Sequence, residues 1–299
     1  MTQWEKYLNL YLKYKKALKL APRTISDSEY HVRNLFKDKG DVDFSDIREL
    51  KRLVIEYFAD NDNINPVTFN TRRKNLNTFF NWLVEEEYIE KSPMKSIKKA
   101  KEGHKPKHVS LDVVLQLLNV CDLNTYTGLR DYTCIALSID TGIRPSEMHQ
   151  LLYSDFNFEN LQFTIPEEVA KTRVERTLPL NEKLIPFLLR LHEYHIEYGW
   201  SEENLPIFTC INKSPLNRFS WRRRLLIYSE KIGVKVTPYM LRHSAAMGML
   251  RNKANVFHVQ KMLGHTNLNT TRIYVNLDLS DLKEIHEETS PLDTVIGAS

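Results

Sequence analysis

Cysteine is scarce: the chain has three, Cys121, Cys134 and Cys210, an odd number with no close spacing. That argues against a disulfide framework and against cysteine-based metal ligation, and it fits a reducing, cytoplasmic compartment. No apolar run nears membrane-spanning length. Internal repeats and low-complexity tracts are lacking too. The opening segment is rich in lysine and tyrosine and has no uninterrupted apolar core, so it reads as an amphipathic helix and not as a signal peptide. What remains is an ordinary globular composition of 299 residues, 42% hydrophobic and 27% charged, long enough for two modest domains.

Net charge is only +4, but it is unevenly spread. Residues 1–108 carry 22 Lys and Arg against 16 Asp and Glu; the remainder carries 20 against 22. The excess peaks in residues 91–108, with seven lysines, one glutamate and the breakers Pro93, Gly103 and Pro106. This stretch reads as an interdomain linker. It is either a solvated tether or a strap along a phosphate backbone, where each neutralised phosphate releases a counterion; Lys98, Lys99 and Lys105 are its candidate DNA contacts.

Ahead of the linker, residues 1–90 read as a helical domain. Trp4, Leu8, Tyr11, Leu12, Lys15 and Leu18 follow helical spacing. Thr24 can cap a second helix running to Gly40, residues 47–58 give a third, and a fourth opens after Pro66. The fourth carries Phe69, Leu76, Phe79, Phe80 and Leu83 on its inner stripe. Arg72, Arg73 and Lys74 lie on its other face, which is either simply solvated or suited to a major groove.

Residues 109–278 read as mostly helical, with short β-prone runs at 156–166 and 176–180 that fold as a small antiparallel sheet around a hairpin carrying Lys171. Helices are expected at 110–118, 129–140, 184–198, 221–231, 238–251 and 256–263. Gly142 ends one helix, and Pro145 keeps Arg144 out of the next helix's interior, in a turn from which it can project into a cleft or pair with Glu147. Thr237-Pro238 starts a helix that puts Tyr239 and Arg242 three residues apart. Gly264 stops another helix and turns His265 outward, and Asn269-Thr270 restart the chain so that Tyr274 sits about one turn into the next helix. Taken singly, Lys171 is an exposed lysine, His265 a structural histidine and Tyr274 a core aromatic.

Their order and spacing point elsewhere. Thr-Gly-Ile-Arg144-Pro-Ser-Glu, Lys171 ahead of Glu175-Arg176, Leu-Arg242-His-Ser, Leu-Gly-His265-Thr, Thr-Arg-Ile-Tyr274-Val and the Asn-Thr-Phe-Phe-Asn-Trp82 helix with Ser92-Pro93 resemble the tyrosine recombinases, or phage integrases. The resemblance covers nearly the whole chain. It implies a mostly α fold: an N-terminal helical core-binding (SAM-like) domain, 1–90, the linker 91–108, a catalytic domain with a small antiparallel sheet, 109–278, and a tail, 279–299, that docks on a neighbouring protomer. The length matches the minimal, Xer-like two-domain form.

The implied activity is site-specific recombination of duplex DNA through a 3′-phosphotyrosine and a Holliday junction, by four protomers on two DNA sites with paired half-sites. Tyr274 would attack the scissile phosphate, Arg144 and Arg242 would clamp its non-bridging oxygens, His265 would hydrogen-bond it, and Lys171 would protonate the leaving 5′-oxygen. No metal and no cofactor are implied. One departure stands out: Tyr239 occupies a position where the family most often has histidine. The expectation is that Tyr239 keeps a phosphate contact while His265 or water takes the nucleophile's proton. A type IB topoisomerase and a DNA-binding regulator without catalysis are the alternative functions.

Overall fold

The computed structural model describes residues 1–103, 107–200, 204–272 and 274, and the chain divides into two compact units, Met1–His104 and Lys105–Ser299. Lys105 and the tail expected over 279–299 lie outside the described residues. Among those residues, no helix is long and apolar enough to cross a membrane.

The first unit is built from α1 (Gln3–Ala17), α2 (Pro22–Leu35), α3 (Ile47–Ala59) and α4 (Pro66–Glu85). Each start has a local cause. The Glu5 carboxylate accepts from the Thr2 N–H at 2.8 Å, Asp46 accepts from Arg48 and Glu49, and Asn65 accepts from Thr68, ahead of a proline at the first helical position. Helix α2 begins two residues before the expected Thr24, because Pro22 already supplies a helical φ, and it ends at Leu35, short of Gly40. The stripes Trp4, Leu8 and Tyr11, and Leu76, Phe79, Phe80 and Leu83, meet in one core with Val32, Leu50 and Val54. Lys15, on the α1 stripe, is buried with its Nζ 2.8 Å from Ser28 Oγ.

The basic stretch beyond α4 is only partly free. Pro93–Ser96 form a 3₁₀ turn that buries Met94. The Asn70 amide then pairs with both backbone groups of Ala100, each at 2.9 Å, and Arg73 Nε donates to the Ile97 carbonyl. An amide that answers a C=O and an N–H at once fixes an extended segment as a neighbouring strand would. Residues expected as a tether therefore lie against α4 as far as Glu102, which accepts from Asn70.

The second unit contains α5 (Leu111–Asn119), α6 (Tyr126–Thr141), α7 (Pro145–Met148), the strands β1 (Phe156–Asn157), β2 (Gln162–Ile165) and β3 (Arg176–Pro179), then α8 (Ile185–Glu197), α9 (Arg218–Ile232), α10 (Pro238–Arg251), α11 (Val256–Leu263) and α12 (Asn269–Arg272). The sheet is antiparallel in the order β1-β2-β3, with Phe163 opposite both Phe156 and Leu178. The fold is thus mostly α with a small antiparallel sheet. Helix α6 is central: Cys134, Ile135 and Leu137 are fully buried, packed with Leu188, Trp221, Leu225 and Leu241. At its start the buried Asp131 holds Arg130 at 2.6 Å and accepts from Tyr228 at 2.9 Å. Ser244 Oγ of α10 accepts from the Val109 N–H and donates to the Val109 carbonyl, at 2.9 and 2.8 Å, tying the segment before α5 to α10.

Candidate active site

Two left-handed glycines bring separate helices to one point. Gly142 (φ 64°) ends α6, and a Cβ there would lie 2.6 Å from Leu263 Cδ2; Gly264 (φ 63°) ends α11, and a Cβ there would meet Arg176 Nε at 3.0 Å and Arg144 Nη1 at 3.2 Å. Glycine is required at both positions by backbone conformation and by close approach.

Arg144 caps α7 in extended conformation, as a residue before proline must, with its carbonyl accepting from Glu147 and Met148. Its side chain donates to Glu147 Oε1 at 3.0 Å and to the Gly264 carbonyl at 2.5 Å, 120 residues away. Glu147 is fully buried and also receives two bonds from Arg176 and one from the Lys171 N–H, at 3.2 Å. Burial would raise its carboxyl, but the bond and charge of Arg176, the charge of Arg144 and the Lys171 N–H outweigh this and hold it below the ordinary carboxylate range. The β2–β3 connection is so pinned to the cluster by the backbone of Lys171, while the Lys171 side chain is exposed.

Arg242, on α10, is 3% exposed. Its guanidinium donates to the carbonyls of Gly142 (2.6 Å) and Leu263 (2.8 Å) and meets His265 Nε2 at 3.0 Å. None of these partners is a carboxylate. Burial, then the nearby Arg144, brings its pKa down to about 10. Arg144 and Arg176 thus share one carboxylate and Arg242 is bonded to none, leaving an excess of buried positive charge that a phosphate would offset.

His265 points inward, not outward as the sequence suggests. Its Nδ1 lies 2.9 Å from Thr271 Oγ1 and its Nε2 against Arg242. Burial, followed by the charges of Arg242 and Arg144, lowers it to about 4, so it is neutral at pH 7. Tyr274 lies just past the short α12, its N–H on the Thr271 carbonyl at 3.0 Å, rather than one turn into a longer helix. It is 4% exposed, and burial raises its pKa despite the opposing charge of Arg242. Its hydroxyl is hydrogen-bonded to His243 Nδ1.

The structure therefore gathers Arg144, Arg242, His265 and the Lys171 backbone, with Tyr274 one residue away through Thr271 and His243. Tyr239 stands apart in its exposure, 54% at the start of α10 against 3% for Arg242. Reasoning from sequence missed Glu147 as a hub, Arg176, Thr271 and His243. Glu147 was visible only as a possible partner of Arg144, Arg176 only as a residue of the motif after Lys171, and His243 only as the neighbour of Arg242.

The candidate DNA contacts of the first unit divide. Arg72 donates to Asn61 Oδ1 at 2.6 Å and lies over the Tyr57 ring, and Arg73 holds Ile97, so both are engaged within the unit. Lys74, Lys98 and Lys99 are exposed, Lys99 with Glu102 at 3.6 Å. A basic face not singled out from sequence lies on α9, where Arg218, Arg222 and Arg223 are exposed beside Phe219. Among the described residues no three His, Cys, Asp or Glu side chains gather as a metal ion would require.

Residues 107–280 match the sequence model of the phage integrase family. The tyrosine recombinase XerC of Proteus mirabilis is 29% identical over 232 residues, 76% of this chain and 74% of that protein. That of Salmonella typhi is 25% identical over 278 residues, 91% of each. Among solved structures, the Tn1549 transposon integrase in complex with a circular intermediate DNA superposes with a TM-score of 0.74 at 16% identity, covering 95% of this chain and 99% of that one. A lambda integrase dimer bound to a COC′ core site gives 0.70 at 16% identity, covering 90% and 97%. With the family match spanning the whole candidate site, the chain belongs to the phage integrase family, the tyrosine recombinases, and is Xer-like.

Proposed function

We propose that this tyrosine site-specific recombinase cuts one strand of duplex DNA by attack of Tyr274 on the scissile phosphate, forming a 3′-phosphotyrosyl link and freeing a 5′-hydroxyl. The observation that carries the reading is Arg242: a guanidinium 3% exposed, hydrogen-bonded to carbonyls and an imidazole but to no carboxylate. Burying a cation without its own counter-ion is costly unless a ligand supplies one. A phosphodiester entering between Arg144 and Arg242 does so, and the added negative charge of the pentavalent transition state strengthens the attraction.

In this reading Arg144 and Arg242 clamp the non-bridging oxygens, and His265, whose Nε2 accepts from Arg242, orients that guanidinium. Lys171, carried on the hairpin whose backbone is pinned to Glu147, reaches the leaving 5′-oxygen and protonates it. Tyr239, exposed at the start of α10, contacts the DNA backbone at the edge of the site. Lys74, Lys98, Lys99, Lys105 and the α9 arginines meet other phosphates, with Arg73 mainly bracing the segment that carries Lys98 and Lys99 and Arg72 held against Asn61 and Tyr57. Four protomers act on two cytoplasmic DNA sites, each with paired half-sites, and exchange strands through a Holliday junction.

The test is incubation with nicked suicide duplexes drawn from the DNA flanking the gene. Wild type should form a covalent protein–DNA adduct and joined recombinants, and Tyr274→Phe should form neither. Adduct formation that survives Tyr274→Phe removes the nucleophile assignment, and relaxed circles without recombinants would indicate a topoisomerase.

A further inference from the structure

The proton of the nucleophile has to go somewhere, and His265, the side chain expected from sequence to take it, is poorly placed. His265 has both nitrogens occupied. An arginine can only donate, so His265 Nε2 accepts from Arg242, and its Nδ1–H is therefore turned to Thr271. Tyr239 is 54% exposed and, as a phenol, is a weak base near neutral pH. The residue in contact with the nucleophilic hydroxyl is His243, whose Nδ1 hydrogen-bonds it and whose ring lies 5.4 Å from the Tyr274 ring.

We propose that His243 is the general base of strand cleavage, taking the Tyr274 phenolic proton on Nδ1 as the tyrosine oxygen attacks phosphorus. The inference rests on the reading of Tyr274 as nucleophile. In cleavage the O–H bond of Tyr274 breaks as its O–P bond forms, and the proton passes to His243. The P–O5′ bond breaks with its electron pair on the 5′-oxygen, which takes a proton from Lys171. In rejoining, the 5′-hydroxyl attacks and His243 returns the proton to the departing tyrosine oxygen.

The surroundings fit this task. His243 follows Arg242 on α10, so one rigid turn holds the phosphate clamp and the base together. Arg242 and His265 on the active-site side, His108 ahead of α5, and Tyr274 itself are the titratable groups that face it. Burial, then the charges of Arg242 and His108, lower His243 below its ordinary value, so it is neutral and able to accept at pH 7. The repulsion from Arg242 that disfavours an imidazolium falls when a phosphodiester neutralises that arginine. The base becomes stronger when substrate is bound.

The test measures single-turnover adduct formation per bound duplex on the same suicide substrates, with binding read by gel shift. A wild-type adduct abolished by Tyr274→Phe first establishes the nucleophile. Its absence would sink the proposed function, whatever His243 does. His243→Gln and His243→Asn should then each slow cleavage by about 100-fold or more, in the range for loss of a general base. A 5′-bridging phosphorothiolate, whose sulfur leaves without protonation, should rescue Lys171→Ala but neither His243 variant. Replacing Tyr274 by the more acidic 3,5-difluorotyrosine should recover much of the rate in His243→Gln.

Rates within about threefold of wild type in the His243 variants, below any general-base effect, would overturn the proposal. So would rescue of those variants by sulfur, which would put His243 on the leaving-group side. Should the variants fold poorly, difluorotyrosine in the otherwise wild-type chain decides. Little acceleration supports a base already in place, whereas a rise of about tenfold or more, the mark of a phenol deprotonating unaided, rules it out.

Discussion

Arg242 and His265 share a contact of 3.0 Å between Nη2 and Nε2, and that contact sets the state of the histidine. A guanidinium has no acceptor, so Nε2 holds a lone pair and Nδ1 holds the proton, donated to Thr271 Oγ1. An arginine, a histidine and a threonine from α10, the turn after α11 and α12 thus form one chain of hydrogen bonds across the site.

Thr271→Val tests that chain. Thr271 is fully buried and valine fills nearly its volume, so what is lost is the hydrogen bond that fixes the tautomer. A neutral hydrogen bond contributes about 1 kcal/mol, so single-turnover cleavage should fall roughly fivefold with duplex binding unchanged. Unchanged cleavage would show that the His265 tautomer does not matter.

Glu147→Gln tests the hub. The substitution keeps shape but removes the carboxylate that Arg144 and Arg176 share inside the protein. Breaking a buried ion pair costs about 3–5 kcal/mol, enough to lower the melting temperature of this unit by about 10 °C. Cleavage should fall as well, since Arg144 and the Lys171 backbone lose their common anchor. A melting curve that overlays wild type would mean Glu147 is not the organising charge.

Gly264→Ala should be more harmful than its size suggests. Alanine at φ 63° is strained by about 1 kcal/mol, and its methyl would crowd Arg176 and Arg144 at 3.0–3.2 Å. The arginines must move, so the adduct-forming rate should drop at least tenfold, about 1.4 kcal/mol of transition-state stabilisation, while gel-shift affinity stays near wild type. An equal loss of both would place the damage in folding.

Acid should loosen the second unit before it protonates the buried Glu147, whose carboxyl is held below the ordinary range. His149, His195 and His265 are each lowered to about 4, by burial first and then by a neighbouring charge: Arg130, His192 and Arg242 in turn. Between pH 6.5 and about 4 the unfolded histidines bind protons that the folded ones do not. Unfolding then takes up protons, and stability falls as the pH falls. Above 6.5 neither state is protonated and the effect vanishes. Urea titrations at pH 7, 6 and 5 should show the midpoint of this unit dropping stepwise. A constant midpoint would contradict the buried, neutral state of these three residues.

Much of the fold was open to a reading of the residues in order. Helices α1, α3 and α4 are set by stripes such as Leu76, Phe79, Phe80 and Leu83, and by caps such as Asp46 and Asn65, all of which act within a few residues. The left-handed ends at Gly142 and Gly264, and the start at Thr237-Pro238, belong to the same class. The misjudged positions share one cause. Arg73 looked free, but the Ile97 carbonyl it satisfies lies 24 residues on, and His265 was turned outward because nothing local shows Arg242 beside it.

By itself, then, the sequence determined the helices, the small sheet, the glycine stops and the family, because propensity, capping and motif spacing are properties of neighbouring residues. Which charges are buried, and what answers them, came only with the tertiary structure. Arg144 reaches Gly264 across 120 residues and Arg242 reaches Gly142 across 100. Whether an arginine is solvated or clamped, and whether the proton of Tyr274 faces His265 or His243, depends on how α6, α10 and α11 pack. That packing is the sum of many apolar contacts, and no short stretch of the chain encodes it.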